Sequence, residues 1–247
     1  MAYAILTRDP ESAAPYAAAL AARGLSCEAM PVTTTAAPHD RDALLRALEL
    51  GGYSAIVVAS ARAAMALLAA RGHAPLPEVW AVGPATARVL EAAHVPPLVP
   101  ANARDGAALA HALLAARELT GKKVLVPRAE DGREELVDIL RAGGAIVDAV
   151  AAYRTVATAP DDPSIARGRE ILAAGDAAIC AVFAPSQVSA LDALVGIRRL
   201  AGVWFVAIGE TTAQALRDAG AEHIAVAAAP TPEALANAVA AVYPRAT

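Results

Sequence analysis

Residues 121–155 of this 247-residue chain, GKKVLVPRAEDGREELVDILRAGGAIVDAVAAYRT, repeat the pattern of residues 3–35, YAILTRDPESAAPYAAALAARGLSCEAMPVTTT. Both stretches read strand, arginine, helix, glycine, strand. Arg8 and Arg128 each sit just past the first strand. Gly24 and Gly143/Gly144 follow the helices, where a left-handed residue commonly ends one. The second strand of each copy runs into a threonine-bearing segment, Thr33-Thr34-Thr35 in one and Tyr153-Arg154-Thr155 in the other. A repeat at this period divides the chain into two similar halves, and its length suits two domains of ordinary size.

Short apolar runs mark strands throughout. They include residues 3–7, 25–32, 54–59, 78–82, 122–127, 145–151, 177–183, 203–208 and 223–227, with residues 95–99 a short strand confined to a sheet edge by Pro96 and Pro97. Helical stretches separate them. Asp9 and Pro10 open the first helix, Asp40 caps one over 41–50, Ser60 opens 61–71, and Asp105 opens one ending near Thr120. A helix over 131–142 follows the repeat's first strand. The apolar runs are continuous rather than alternating, as expected of strands covered on both faces. The expected fold is therefore α/β. It has two similar domains, each a parallel sheet flanked by helices in the flavodoxin or Rossmann manner. Two polar, proline-bearing stretches, 33–39 and 155–163, are the candidate crossings between domains.

Several classes of function are excluded. Net charge is −4 with no basic stripe, so a nucleic-acid partner is not expected. The strand-to-helix turns TRDPES and PRAEDG lack the dinucleotide glycine pattern, and the chain has neither a phosphate-binding lysine loop nor a nucleophile elbow. His39, His73, His94, His111 and His223 show no metal-ligand spacing. Cys27 and Cys180 lie in apolar strand-like runs and read as buried thiols. No apolar run reaches membrane-span length, and the start of the chain lacks a basic region leading into a long apolar core. The expectation is a soluble cytoplasmic protein.

Parallel sheets of this kind bind ligands outside the carboxyl ends of their strands. There the polar residues collect: Thr7/Arg8, Ser60/Arg62, Thr86, Arg128, Ser186/Gln187 and Thr211/Thr212. Two matching turns, Gly83-Pro84-Ala85-Thr86 and Gly209-Glu210-Thr211-Thr212, lead strands into helices whose N-termini favour anions. Each threonine could equally cap its helix, and Arg8 and Arg128 could bind carboxylates or stand in solvent.

The ordered set ILTRDPES, VVAS with ARAA, VWAVGPATARVLEAA, VLVPRAEDGREELVDILRAGGAIVDAVAAYRT and FVAIGETTAQALRDAG resembles the uroporphyrinogen-III synthase family and nearly spans the chain. The combination of AVGPATA, AAYRT and AIGETTA is the specific part. The resemblance implies two α/β domains on two extended connectors, residues 1–35 with 156–247 and residues 36–155. It also implies a substrate bound in the cleft between domains and no cofactor or metal. Tyr153 matches the family's tyrosine, a proposed general acid. Thr86 and Thr211/Thr212 match its cleft threonines, Ser60 and Arg62 its serine turn, and Ser186 and Gln187 the corresponding second turn. The family commonly has Thr-Ser just before that second turn; here the chain reads Phe183-Ala184-Pro185, and Ala59 stands where threonine is usual in the first.

The implied reaction closes the linear tetrapyrrole hydroxymethylbilane into uroporphyrinogen III in haem biosynthesis, with loss of water and inversion of the last pyrrole ring. That substrate carries eight carboxylates, so helix N-termini and a few arginines must outweigh an acidic net charge. A monomer is expected, with transient contact with the preceding pathway enzyme. The alternative is a non-catalytic two-lobed binding or sensor protein.

Overall fold

The structure, a computed structural model, describes residues 3–243. The chain forms two compact units, residues 1–34 with 156–247, and residues 35–155. In chain order the elements begin with β1 (Tyr3–Leu6), α1 (Pro10–Ala21), β2 (Ser26–Ala29) and β3 (Thr33–Ala36). Then come α2 (Ala43–Leu50), β4 (Tyr53–Val58), α3 (Ala61–Arg71), β5 (Glu78–Ala81), α4 (Pro84–Ala92), α5 (Gly106–Ala116), β6 (Lys123–Ala129), α6 (Glu135–Ala142) and β7 (Ile146–Ala157). The last stretch holds α7 (Pro163–Ala174), β8 (Ala177–Val182), α8 (Pro185–Val195), β9 (Trp204–Ala207), α9 (Glu210–Ala219), β10 (His223–Val226) and α10 (Pro232–Val242).

The discontinuous unit carries a sheet in the order β10-β9-β8-β1-β2, parallel throughout. The continuous unit carries β3-β7-β6-β4-β5, with β7, β6, β4 and β5 parallel in turn. With β3 set aside, β7-β6-β4-β5 repeats β2-β1-β8-β9, as the sequence repeat requires. The place of β10 is taken by one bridge, Trp80 to Leu98. This is the proline-flanked edge segment expected at 95–99.

Strand residues alternate between two buried faces, which is why the runs are apolar without a break. In the discontinuous unit Ile5, Cys180 and Phe205 pack with Ile165, Leu191 and Leu216. Leu6, Ile179 and Val206 pack on the other face with Tyr16, Leu20 and Leu235. In the continuous unit Val57, Val124 and Val126 meet Leu109, Leu113 and Leu140, while Ile56, Val58 and Leu125 meet Leu44, Leu67 and Leu90.

Four expectations need correction. Residues 33–36 form β3, because pairing beside β7 gives the Thr33-Thr34-Thr35 backbone its partners. For the same reason β7 runs to Ala157 rather than stopping near 151. Asp40 is not the N-cap of α2: that helix starts at Ala43 with Asp42 in the N-cap position, and Asp40, two residues earlier, pairs with Arg46. Helix α6 begins at Glu135, not 131, because residues 129–134 form a turn closed by Gly132 N–H donating to the Ala129 carbonyl at 3.0 Å.

Candidate functional site

In an open parallel sheet the crevice for ligands lies where chain connections diverge to opposite sides. In the continuous unit that point falls between β4 and β6; in the other it falls between β1 and β8. Each crevice is described within its own unit.

At the carboxyl end of β4, Ser60 is the N-cap of α3, and its Oγ accepts the Ala63 N–H at 3.1 Å. The same oxygen lies 3.2 Å from the Tyr153 hydroxyl. Tyr153 reaches it from β7, two strands away. Both side chains border a cavity of about 280 Å³, together with Arg128, Arg133 and the first turn of α5 at Gly106 and Ala107. Asp105 caps that turn by accepting the Ala108 N–H at 2.8 Å. Arg128 is largely committed: its guanidinium donates to the Gly132 carbonyl and pairs with Glu134, holding the turn ahead of α6. Its Nε is sealed from solvent without a partner.

At the carboxyl end of β1, Thr7 is fully buried. Its Oγ1 lies 3.0 Å from the Ala181 carbonyl and 2.8 Å from Gln187 Oε1. Gln187 Oε1 also accepts the Phe183 N–H at 2.9 Å. Arg8, next along, places its guanidinium over two rings, 4.8 Å from the Phe183 centroid and 5.4 Å from that of Tyr16. No carboxylate pairs with Arg8 among the described residues. Ser186, in the first turn of α8, is exposed, as is Arg62 in the first turn of α3.

Thr86 and Thr212 hold equivalent places, each the third residue of its helix. Both are buried, at 3% and 2% exposure. Neither caps its helix, since no side-chain cap bond forms at either N-terminus. Thr211 is exposed. The two glycine turns are less alike than their sequences. Gly83 has φ 80° and ψ 152°, a conformation essentially reserved for glycine. Gly209 is extended, with φ −177°, and nothing lies within 4 Å of an added Cβ.

The structure thus brings Ser60, Arg128 and Tyr153 to one cavity, and Arg8 and Gln187 to one cluster. Sequence reasoning missed the bracing role of Thr7, the Tyr16–Phe183 bed under Arg8, and the cavity lining by Arg133 and α5. For Tyr16 a signal existed, since it lies eight residues past Arg8, on the apolar face of the repeat helix.

Chemistry elsewhere is sparse. Tyr53 is held well above the usual phenol range, first by burial and then by its hydrogen bond to Asp148 at 2.8 Å. It stands at the amino end of β4, away from the crevice. Burial pushes the Cys180 thiol up to about 12 and that of Cys27 to about 11, although Cys27 is only half-buried rather than enclosed as expected. No cluster of metal-ligating side chains occurs among the described residues. No helix among them is long and apolar enough to cross a membrane. A larger hollow of about 650 Å³ beside α7 and α8 contains none of the candidate residues.

The profile of the family described as Uroporphyrinogen-III synthase HemD matches residues 14–237. The fold is similar to that of uroporphyrinogen-III synthetase from Helicobacter pylori 26695, with TM-score 0.64 and 17% identity, covering 98% of this chain and 100% of that one. A mutant uroporphyrinogen III synthase from the extremely thermophilic bacterium Thermus thermophilus matches with TM-score 0.51 and 22% identity over 96% of each chain.

Proposed function

We infer the reaction from membership: the chain belongs to the uroporphyrinogen-III synthase family, whose profile covers residues 14–237. Its activity is that of a cyclising lyase, converting hydroxymethylbilane into uroporphyrinogen III with loss of water and inversion of the last pyrrole ring. The family match is the observation that carries this reading over a non-catalytic binding protein.

The roles of individual residues are our proposal. Tyr153 gives a proton to the departing hydroxyl, and Ser60, 3.2 Å away, orients the phenol. Ionisation leaves an electrophilic azafulvene. The substituted carbon of the last pyrrole attacks it to give a spiro intermediate; the bond from that carbon to its original methylene then breaks, and the ring's unsubstituted carbon bonds to the released methylene and loses its proton, which closes the macrocycle with that ring inverted. The reactive groups belong to the substrate, so the protein's contribution is placement and stabilisation of charge. Arg8, resting on aromatic faces with no carboxylate of its own, receives one substrate carboxylate. The hydroxyls of Thr86 and Thr212, with the N-termini of α4 and α9, receive others. Thr211, Ser186 and Arg62 are exposed contacts at the same strand ends. Arg128 acts through the turn it holds.

Incubation with enzymatically generated hydroxymethylbilane, then oxidation and separation of porphyrin isomers, tests the function. Type III is expected; type I alone, the spontaneous product, would reject the reading. We further propose that the acting species is a monomer that meets the enzyme supplying the bilane only transiently. Sedimentation of the pure protein and of the two-enzyme mixture tests both statements.

A further inference from the structure

Five helices here begin with a side chain that accepts an N–H of the first turn: Asp9, Ser60, Asp105, Asp162 and Thr231. Helix α8 begins differently. Its N-cap is Ala184, which has no side-chain acceptor, and its first residue is Pro185. The third residue, Gln187, turns back instead. A glutamine at this position ordinarily reaches the N–H of the cap residue. Here it reaches one residue further, to Phe183 N–H, at 2.9 Å.

That shift brings Gln187 Oε1 within 2.8 Å of Thr7 Oγ1, 180 residues away in the chain. One carbonyl oxygen therefore fixes both structures that define Arg8. Thr7 is its backbone neighbour, and Phe183 supplies the ring beneath its guanidinium at 4.8 Å. The second ring, Tyr16, meets Phe183 edge-on with centroids 4.8 Å apart. Gln187 is neutral, so it can hold this assembly without offering Arg8 a competing negative charge. Its acceptor oxygen already has two protein donors in reach, which leaves it poorly placed to serve the substrate.

We propose that Gln187 is a positioning residue, which locks Thr7 and Phe183 so that the Arg8 guanidinium faces a substrate carboxylate. The inference rests on the reading of Arg8 as a carboxylate-binding group. Losing the alignment of this charge-assisted contact should raise KM by about tenfold, which is about 1.4 kcal/mol.

The test is a double-mutant cycle on the full chain, reading KM and kcat separately with enzymatically supplied hydroxymethylbilane. Gln187→Met removes the acceptor at similar volume, and Arg8→Ala removes the guanidinium. The expected result is a KM raised about tenfold in each single variant, kcat changed less than about twofold, and a double variant no worse than Arg8→Ala. A Gln187→Met effect that persists undiminished in the Arg8→Ala background would overturn the inference while leaving Arg8 as a binding group. An unchanged KM in Arg8→Ala would overturn the reading of Arg8, and with it the inference. Should Gln187→Met fail to fold, Thr7→Val replaces it in the cycle, and Thr7→Ser must restore the parental KM.

Discussion

Arg8 and Arg128 occupy the same place in the repeat and do different things. In the continuous unit the residues after β6 form a turn, and its Gly132 carbonyl and Glu134 carboxylate engage Arg128. In the discontinuous unit α1 starts at once: Pro10 is its first residue, and Asp9 caps it by accepting the Ser12 N–H at 2.9 Å. No turn is left to engage Arg8, which lies across Phe183 and Tyr16 instead. The neighbouring helix starts differ in the opposite sense. Ser60 caps α3 and also touches Tyr153, whereas α8 depends on Gln187. Equivalent positions in a duplicated fold thus inherit a location, and the local supply of partners decides which carries chemistry and which holds structure.

The sharpest way to break this comparison is through Tyr153 and Tyr16. Tyr153→Phe is expected to lower kcat about tenfold to a thousandfold, while Tyr16→Phe, which keeps the ring under Arg8, should change it little. Equal kcat values for the two variants would end the proposed division. The glycine turns come next. Gly83→Ala should cost about 1–3 kcal/mol in a denaturant titration, because its backbone conformation excludes a side chain, while Gly209→Ala should fall within about 0.5 kcal/mol of the parent. Two equal losses would mean that the turns are alike after all.

The arginines offer a finer contrast. Arg128→Ala should lower stability by about 1–2 kcal/mol, since the Gly132 carbonyl and the turn lose their donor, whereas Arg8→Ala should act on KM and leave the unfolding midpoint near the parent's. The smallest effect concerns Glu130. Hydrogen bonding to the His39 backbone N–H, at 3.0 Å, is the first cause holding its carboxyl below the usual range, with the His39 side chain and Arg154 adding to it. A depressed folded pKa gives stability that is present above the unfolded pKa and lost as pH falls through the folded one. Glu130→Gln should therefore flatten the acid limb of the stability curve slightly, and less so at high salt. An unchanged acid limb would remove that contact from the account.

Much of the fold was legible because burial on both sheet faces leaves an unbroken apolar run for each strand, and the repeat fixed which strands correspond. Asp9 and Asp105 could be read as caps because their roles are settled within three residues of chain. β3 could not: a threonine triplet among prolines and a histidine reads as a turn until β7 appears beside it. The same limit applied to the site. That Arg8 and Arg128 stand at strand ends follows from local pattern. Their different partners depend on where a helix starts and, for Gln187 and Thr7, on a contact between residues far apart in the chain.

The interleaving of the two units has a consequence for biosynthesis. Residues 35–155 contain every strand of their sheet except the first two residues of β3 and the last two of β7, so that unit can fold soon after its last strand leaves the ribosome. β1, by contrast, is an inner strand between β2 and β8, and β8 follows β2 only after about 150 residues of chain. At about 5–20 residues per second the N-terminal unit of strand, helix and strand waits roughly seven to thirty seconds for it. During that interval an apolar strand edge is exposed on the nascent chain, and a chain cut short before β8 would leave it exposed for good.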